Sequence, residues 1–241
     1  MLADFVEVKH CITCSSGTDA LLMALMAWDI GPGDAVFTSP FTFIATAEVI
    51  QLLGATPVFV DIDENTFNIS PVKLDEEINR IKKEGRLTPK VIMPVDLFGL
   101  PANYPEIDSI STQYDLLVLE DGAQGFGGSI EGKMACSFGN MAATSFFPSK
   151  PLGCYGDGGA IFTNEDSLAE KLVSMRVHGK GGHKYDNVRV GINGRFDTLQ
   201  AAILLEKMTI FPEEIGLRNA AAAQYTERLK NKVITPFIQD G

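Results

Sequence analysis

Short, almost unbroken apolar runs, separated by stretches of helix length, constrain this 241-residue chain more than any other feature. Residues 35–38, 57–61, 91–95, 116–120, 141–147 and 160–163 read as strands. Helical patterns fall between most of them, at 19–28, 46–53, 71–83, 167–177 and 198–208. The clearest helix follows Ser70: a hydroxyl cap, Pro71 in the first turn, then Val72, Leu74, Ile78 and Ile81 as its apolar positions. Strands covered on both faces carry continuous apolar runs, and parallel strands need helical crossovers between them. The pattern therefore predicts an α/β fold, a mostly parallel sheet flanked by helices. The length suits one large domain, or one domain with a fragment of a second. Near Phe211 the pattern changes to a long polar helix over 213–230, then Thr235-Pro236-Phe237. The expected division is a large domain over 1–210, cut short at its start, and a connecting segment over 211–241 opening an incomplete small domain.

Hydrophobic residues make up 45% of the chain and charged residues 21%, enough apolar material for a sizeable core. Twenty basic against 31 acidic residues give a net charge of −11. That balance argues against a basic footprint for nucleic acid and against attraction to an anionic membrane. Residues 1–5 lack the features of a secretory leader, and no apolar run reaches membrane-spanning length. The cytoplasm is the expected location. Cys11 and Cys14 have redox-motif spacing, but with Cys136 and Cys154 they read better as small core thiols of a reducing compartment. No second Cys-x-x-Cys completes a zinc site, so no metal is expected.

In open α/β sheets, ligands gather beyond the carboxyl ends of the strands. Ser15-Ser16-Gly17-Thr18-Asp19 follows the first apolar run and opens a helix. Such a turn either offers free amides to an anion or is a plain cap made by Ser16, Thr18 or Asp19. It is neither a Walker A loop nor the Gly-x-Gly-x-x-Gly of a nicotinamide dehydrogenase. Asp121 ends the 116–120 run, with Gln124 three residues on. A carboxylate there either meets a cationic partner or caps the next turn. Lys150 stands between Pro148 and Pro151, just past a strand and beside Phe146 and Phe147. Partial burial would free a neutral amine for Schiff-base chemistry; the alternative is a loop lysine reaching solvent. Gly153, Gly156, Gly158 and Gly159 form a tight loop that allows close backbone approach. Arg195 either forks onto a carboxylate or pairs with Asp197. His178 and His183 lie in a glycine-rich loop and read as solvated.

These segments, in this order, resemble the DegT/StrS family of sugar-nucleotide aminotransferases, which are fold-type I pyridoxal-5′-phosphate (PLP) enzymes. The resemblance rests on 16–21, 30–34, Glu120-Asp121-Gly122-Ala123-Gln124, Ser145 to Lys150, Gly156-Asp157-Gly158-Gly159 and 193–202. It implies that Lys150 holds PLP as a Schiff base, Asp121 pairs with the ring nitrogen and Gln124 lies near the ring hydroxyl. It also implies that Phe43 stacks on the ring and that Gly17, Thr18 and Ser145 hold the phosphate, with Asp19 beside them. Asn193 would reach the phosphate of a neighbouring subunit in a homodimer with shared sites, and Arg195 would take a substrate carboxylate. The segments 144–163, 189–191 and 197–204 are most similar to enzymes that aminate the 3-keto position of UDP-N-acetyl sugar acids, with glutamate as donor, for surface polysaccharides. A 4-keto nucleotide sugar and a non-catalytic regulatory role on the same fold are the alternatives. A related dehydratase carries histidine at the lysine position, which Lys150 contradicts.

Overall fold

The structure, a computed structural model, describes residues 1–183 and 185–238. In chain order it contains α1 (Leu2–Phe5), β1 (His10–Cys14), α2 (Gly17–Ala27), β2 (Asp34–Thr38), α3 (Ala45–Leu52), β3 (Thr56–Phe59), α4 (Pro71–Glu84), β4 (Thr88–Ile92) and α5 (Tyr104–Tyr114). Then follow β5 (Leu117–Asp121), a small ribbon of β6 (Ser129–Ile130) and β7 (Lys133–Met134), β8 (Met141–Ser145), β9 (Gly159–Thr163), α6 (Asp166–Met175) and α7 (Thr198–Leu229). The main sheet has the order β1-β9-β8-β5-β4-β2-β3. From β3 across to β8 every pairing is parallel, whereas β9 runs against both β8 and β1. The expected mostly parallel sheet with flanking helices is the observed fold.

Side chains alternate along each strand, so the two faces bury different partners. Val91, Leu119, Met141, Ala143 and Ile161 pack with the helices α2 and α6. Ile92 and Val118 face the other way, against α4 and α5, and Ala142, Ala160 and Phe162 pack beneath α7. Helix α2 lies between sheet and neighbouring helices. Its sequence Gly-Thr-Asp-Ala-Leu-Leu-Met-Ala-Leu-Met-Ala is apolar nearly all round, as a fully buried helix requires. Ser70 caps α4 by accepting the Lys73 amide at 3.4 Å, as its sequence predicts. Cys11 and Cys14 sit on opposite faces of β1, and all four cysteines are free thiols. Burial pushes both the Cys11 and Cys14 thiols up to about 12, which suits core thiols and not a redox pair.

Two sequence expectations change. The helices expected at 198–208 and 213–230 are one helix, α7, running unbroken past Pro212. Proline removes one rung of the ladder, but the fully buried Phe211 stacks within 5.7 Å of both Phe5 and Phe126 and holds the axis in place. The change of pattern near Phe211 is a change in burial along a single helix. Helix α5 is not foreshadowed in the pattern, because it buries only Tyr104 and Ile107.

Candidate functional site

The carboxyl ends of β1, β2, β5 and β8 lie at one edge of the sheet, and the chain leaving them encloses a cavity of about 510 Å³. Among its lining residues are Gly17, Thr18, Phe43, Asp121, Gln124, Ser145 and Lys150. Sequence motifs lying more than a hundred residues apart thus meet in one site. Its volume falls within the range of ordinary cofactor pockets.

Helix α2 begins at the cavity wall. Ser16 caps it by accepting the Asp19 amide at 3.0 Å, and Ala20 donates to the Ser16 carbonyl at 3.0 Å. The amides of Gly17 and Thr18 have no protein acceptor among the described residues, so the first turn keeps donors for an anion. A Cβ on Gly17 would lie 2.6 Å from that of Ser145, so only glycine lets α2 approach the end of β8 this closely. Cap and anion site coexist: Ser16 makes the cap, while Gly17, Thr18 and Ser145 line the cavity. Asp19 is turned aside, accepting the Ser15 hydroxyl at 2.5 Å, and does not line the cavity.

Asp121 ends β5 on the face shared with Leu119, and only 4% of it is exposed. Its Oδ2 accepts the Thr46 hydroxyl at 2.8 Å and its Oδ1 the Ala123 amide at 3.2 Å. Burial raises its pKa, opposed by these two donors and by the positive charge of Lys150. Asp121 does bond the amide of the next turn, yet it also lines the cavity. A buried carboxylate supplied only by neutral donors is costly, and a cation inside the cavity would stabilise it.

Lys150 faces Asp121 from the loop after β8. That loop folds back on itself: the Lys150 amide donates to the Phe147 carbonyl at 2.9 Å and the Cys154 amide to that of Phe146 at 2.8 Å. Gly153 permits the fold, since a Cβ there would meet the Phe147 oxygen at 2.6 Å. The Lys150 side chain is partly buried, and its amine has no hydrogen-bond or ion-pair partner among the described residues. Gln124 accepts the Phe98 amide through Oε1 at 3.0 Å, leaving Nε2 as its donor end. Phe43, 65% exposed, forms an aromatic wall.

Asn193 and Arg195 do not line this cavity. Both are exposed on the segment before α7, and Arg195 has no ion pair with Asp197. His178 and His183 are exposed, as expected. Reasoning from sequence missed Thr42, Thr46, Ser149 and Asp157 in the lining. Thr42 and Thr46 could have been found from their place on either side of Phe43, in the segment that leads into α3.

This sheet, with lysine and aspartate facing each other across the cavity at its carboxyl edge, is the large-domain architecture of fold-type I PLP-dependent transferases. The chain belongs to the DegT/DnrJ/EryC1/StrS aminotransferase family, which it matches over residues 1–239. It is 52% identical over 241 residues to UDP-2-acetamido-2-deoxy-3-oxo-D-glucuronate aminotransferase of Pseudomonas aeruginosa, matching 99% of this chain and 64% of that protein. A crystal structure of a family aminotransferase from Brucella abortus superposes with a TM-score of 0.98 at 52% identity, covering all of this chain and 64% of that one. NtdA from Bacillus subtilis with bound cofactor PMP has a TM-score of 0.83 at 34% identity, covering 96% of this chain and 52% of that one. The chain thus spans less than two thirds of the length of these relatives.

Proposed function

We propose that this chain is the cofactor-binding part of a PLP-dependent aminotransferase that places an amino group on the 3-keto carbon of a UDP-linked N-acetyl sugar acid, with glutamate as donor. The observation that carries this reading is Lys150 and Asp121 lining one cavity whose phosphate end is built by Gly17, Thr18 and Ser145. That donor set matches PLP in its parts: an amine for the carbonyl, a buried acid for the ring nitrogen, and amides and hydroxyls for the phosphate. The substrate follows from the 52% identity to the Pseudomonas aeruginosa enzyme. Amino-sugar supply for a surface polysaccharide, in the cytoplasm, is the corresponding role. No helix among the described residues is long and apolar enough to cross a membrane.

When bound, PLP supplies an electron sink for charge released at the donor's α-carbon. The chain's own residues do the rest. Lys150 would hold the cofactor covalently, and its amine, once freed, would take a proton from the donor's α-carbon in one half of the cycle and give a proton to the sugar carbon that receives the amino group in the other. Asp121 keeps a proton on the ring nitrogen. Gln124, with Oε1 already occupied by Phe98, donates through Nε2 toward the ring hydroxyl. Phe43 covers one ring face. Asn193 and Arg195, exposed here, serve a second subunit's phosphate and a substrate carboxylate in a homodimer. The cofactor-binding domain takes in the buried start of α7 through Phe211, and the exposed remainder of that helix leads away from it.

The test is PLP titration followed by borohydride reduction and peptide mass spectrometry, with Lys150→Ala beside the wild type. A pyridoxyl group on the peptide carrying Lys150, absent from the variant, is the expected result. Reduction that labels no residue, or labels other lysines equally, overturns the assignment. A panel of 3-keto and 4-keto nucleotide sugars with glutamate then decides the substrate.

A further inference from the structure

The segment 42–46 does more than provide the aromatic wall. Thr46, 1% exposed, donates its hydroxyl proton to Oδ2 of Asp121 at 2.8 Å. A threonine hydroxyl has only one proton. At the 2.8 Å contact between the Thr42 and Thr46 oxygens, Thr42 must therefore be the donor whenever Asp121 is ionised. The three groups form a chain with one direction, from Thr42 through Thr46 to Asp121. Each donor polarises the next, and in a buried site such chains strengthen their terminal bond.

Several features place this chain at the site and not merely in the core. Thr42, Thr46 and Asp121 all line the cavity. The Ala123 amide holds the other carboxylate oxygen at 3.2 Å, so Thr46 and Ala123 grip the carboxyl from two sides and fix its plane. Thr46 lies in the first turn of α3 and is buried there, so its hydroxyl is held beside the Asp121 carboxylate. Among the causes that oppose burial at Asp121, the Thr46 bond is the largest.

We propose that Thr42 and Thr46 are positioning residues, a two-hydroxyl relay that holds Asp121 ionised and aimed into the cavity so that it can keep the ring nitrogen of PLP protonated. This rests on the assignment of Asp121 to that nitrogen. Removing the relay should cost the chain its ability to tell a ring with a basic nitrogen from one without.

The experiment compares dissociation constants for PLP and for 1-deaza-PLP, whose ring carries a CH in place of the nitrogen. It uses the wild-type chain, Asp121→Ala, Thr46→Val, Thr46→Ser and Thr42→Val, with thermal melts of each. The wild type should prefer PLP, and Asp121→Ala should lose that preference. Thr46→Val should reduce it by about tenfold, the loss of one hydrogen bond to a charged group. Thr46→Ser, which keeps the hydroxyl, should restore it, and Thr42→Val should lower it less than Thr46→Val. A purely structural role would weaken both ligands equally and leave their ratio unchanged. An unaltered ratio in Thr46→Val, with the preference lost in Asp121→Ala, overturns the relay alone. A preference that survives Asp121→Ala overturns the assignment of Asp121, and the relay with it.

Discussion

Asp121 is one of three acidic side chains buried where β5 meets the segment after β4. Its neighbour Glu120 points to the opposite face, accepting the Cys136 amide and, at 2.8 Å, that of Phe138. Asp96 reaches the same place, accepting the Ala102 amide at 3.0 Å and the Tyr104 hydroxyl at 2.8 Å through Oδ1. Its buried Oδ2 accepts no hydrogen bond among the described residues, and Glu120, whose pKa is raised by burial and by Asp96, is the titratable group beside it. Burial raises Asp96 from 3.8 to about 6 and raises Glu120 as well, with Asp96 beside it adding to the shift. The folded chain therefore holds more protons here than the unfolded chain. The stability this confers is complete below pH 3.8 and lost as pH rises through about 6. Asp96→Asn keeps the acceptor for Ala102 and Tyr104 and offers Glu120 a permanent donor. Its melting temperature should fall less than that of the wild type between pH 4 and 6, and equal slopes would show that no proton is shared.

At the scale of elements, the site depends on how closely helix starts approach strand ends. The first turn of α2 rests against β8 at Gly17 and against β9 at Gly159, where a Cβ would meet the Ser16 carbonyl. Gly17→Ala should overpack this junction, costing about 1–3 kcal/mol. It should also tilt the free amides of Gly17 and Thr18 away from Ser145. Denaturant melts and phosphate-competition binding of PLP test both effects. Unchanged stability together with unchanged affinity would show that α2 has room to move. Helix α7 illustrates the opposite lesson. Pro212 inside Thr198–Leu229 signals a break, yet the buried Phe211 ties that stretch to Phe5 and Phe126, and packing overrides the local signal.

For the whole molecule, large aromatic side chains remain exposed at or beside the cavity: Phe43 at 65%, which lines it, and Phe98 at 69%, whose amide is held by Gln124. A homodimer would cover such a surface. If Asn193 serves the partner's phosphate, Lys150→Ala and Asn193→Ala chains should each bind PLP poorly when alone. Unfolded and refolded together, they should regain up to half the wild-type PLP content per dimer, because one site then has both residues. Light scattering gives the mass of the assembly, and a mixture with no gain in bound cofactor would place Asn193 outside the partner's site.

The α/β class, most strands, and Lys150, Asp121, Gln124, Gly17 and Thr18 as candidates were legible in the residues themselves, whereas Phe43 and Ser145 came only from the family resemblance. Apolar periodicity reports burial directly, and the family motifs are contiguous in sequence. Only the tertiary structure decided that Asp19 turns to Ser15, that Asn193 and Arg195 stand apart from the cavity, and that α7 is unbroken. It also brought Thr46 to Asp121 across 75 positions and Asp96 to Glu120 on the far face of the sheet. Hydrogen bonds between side chains on different elements depend on how those elements approach, which leaves no periodic mark in the chain. For that reason local sequence shows which residues are buried or reactive, while their partners emerge only when the sheet is assembled.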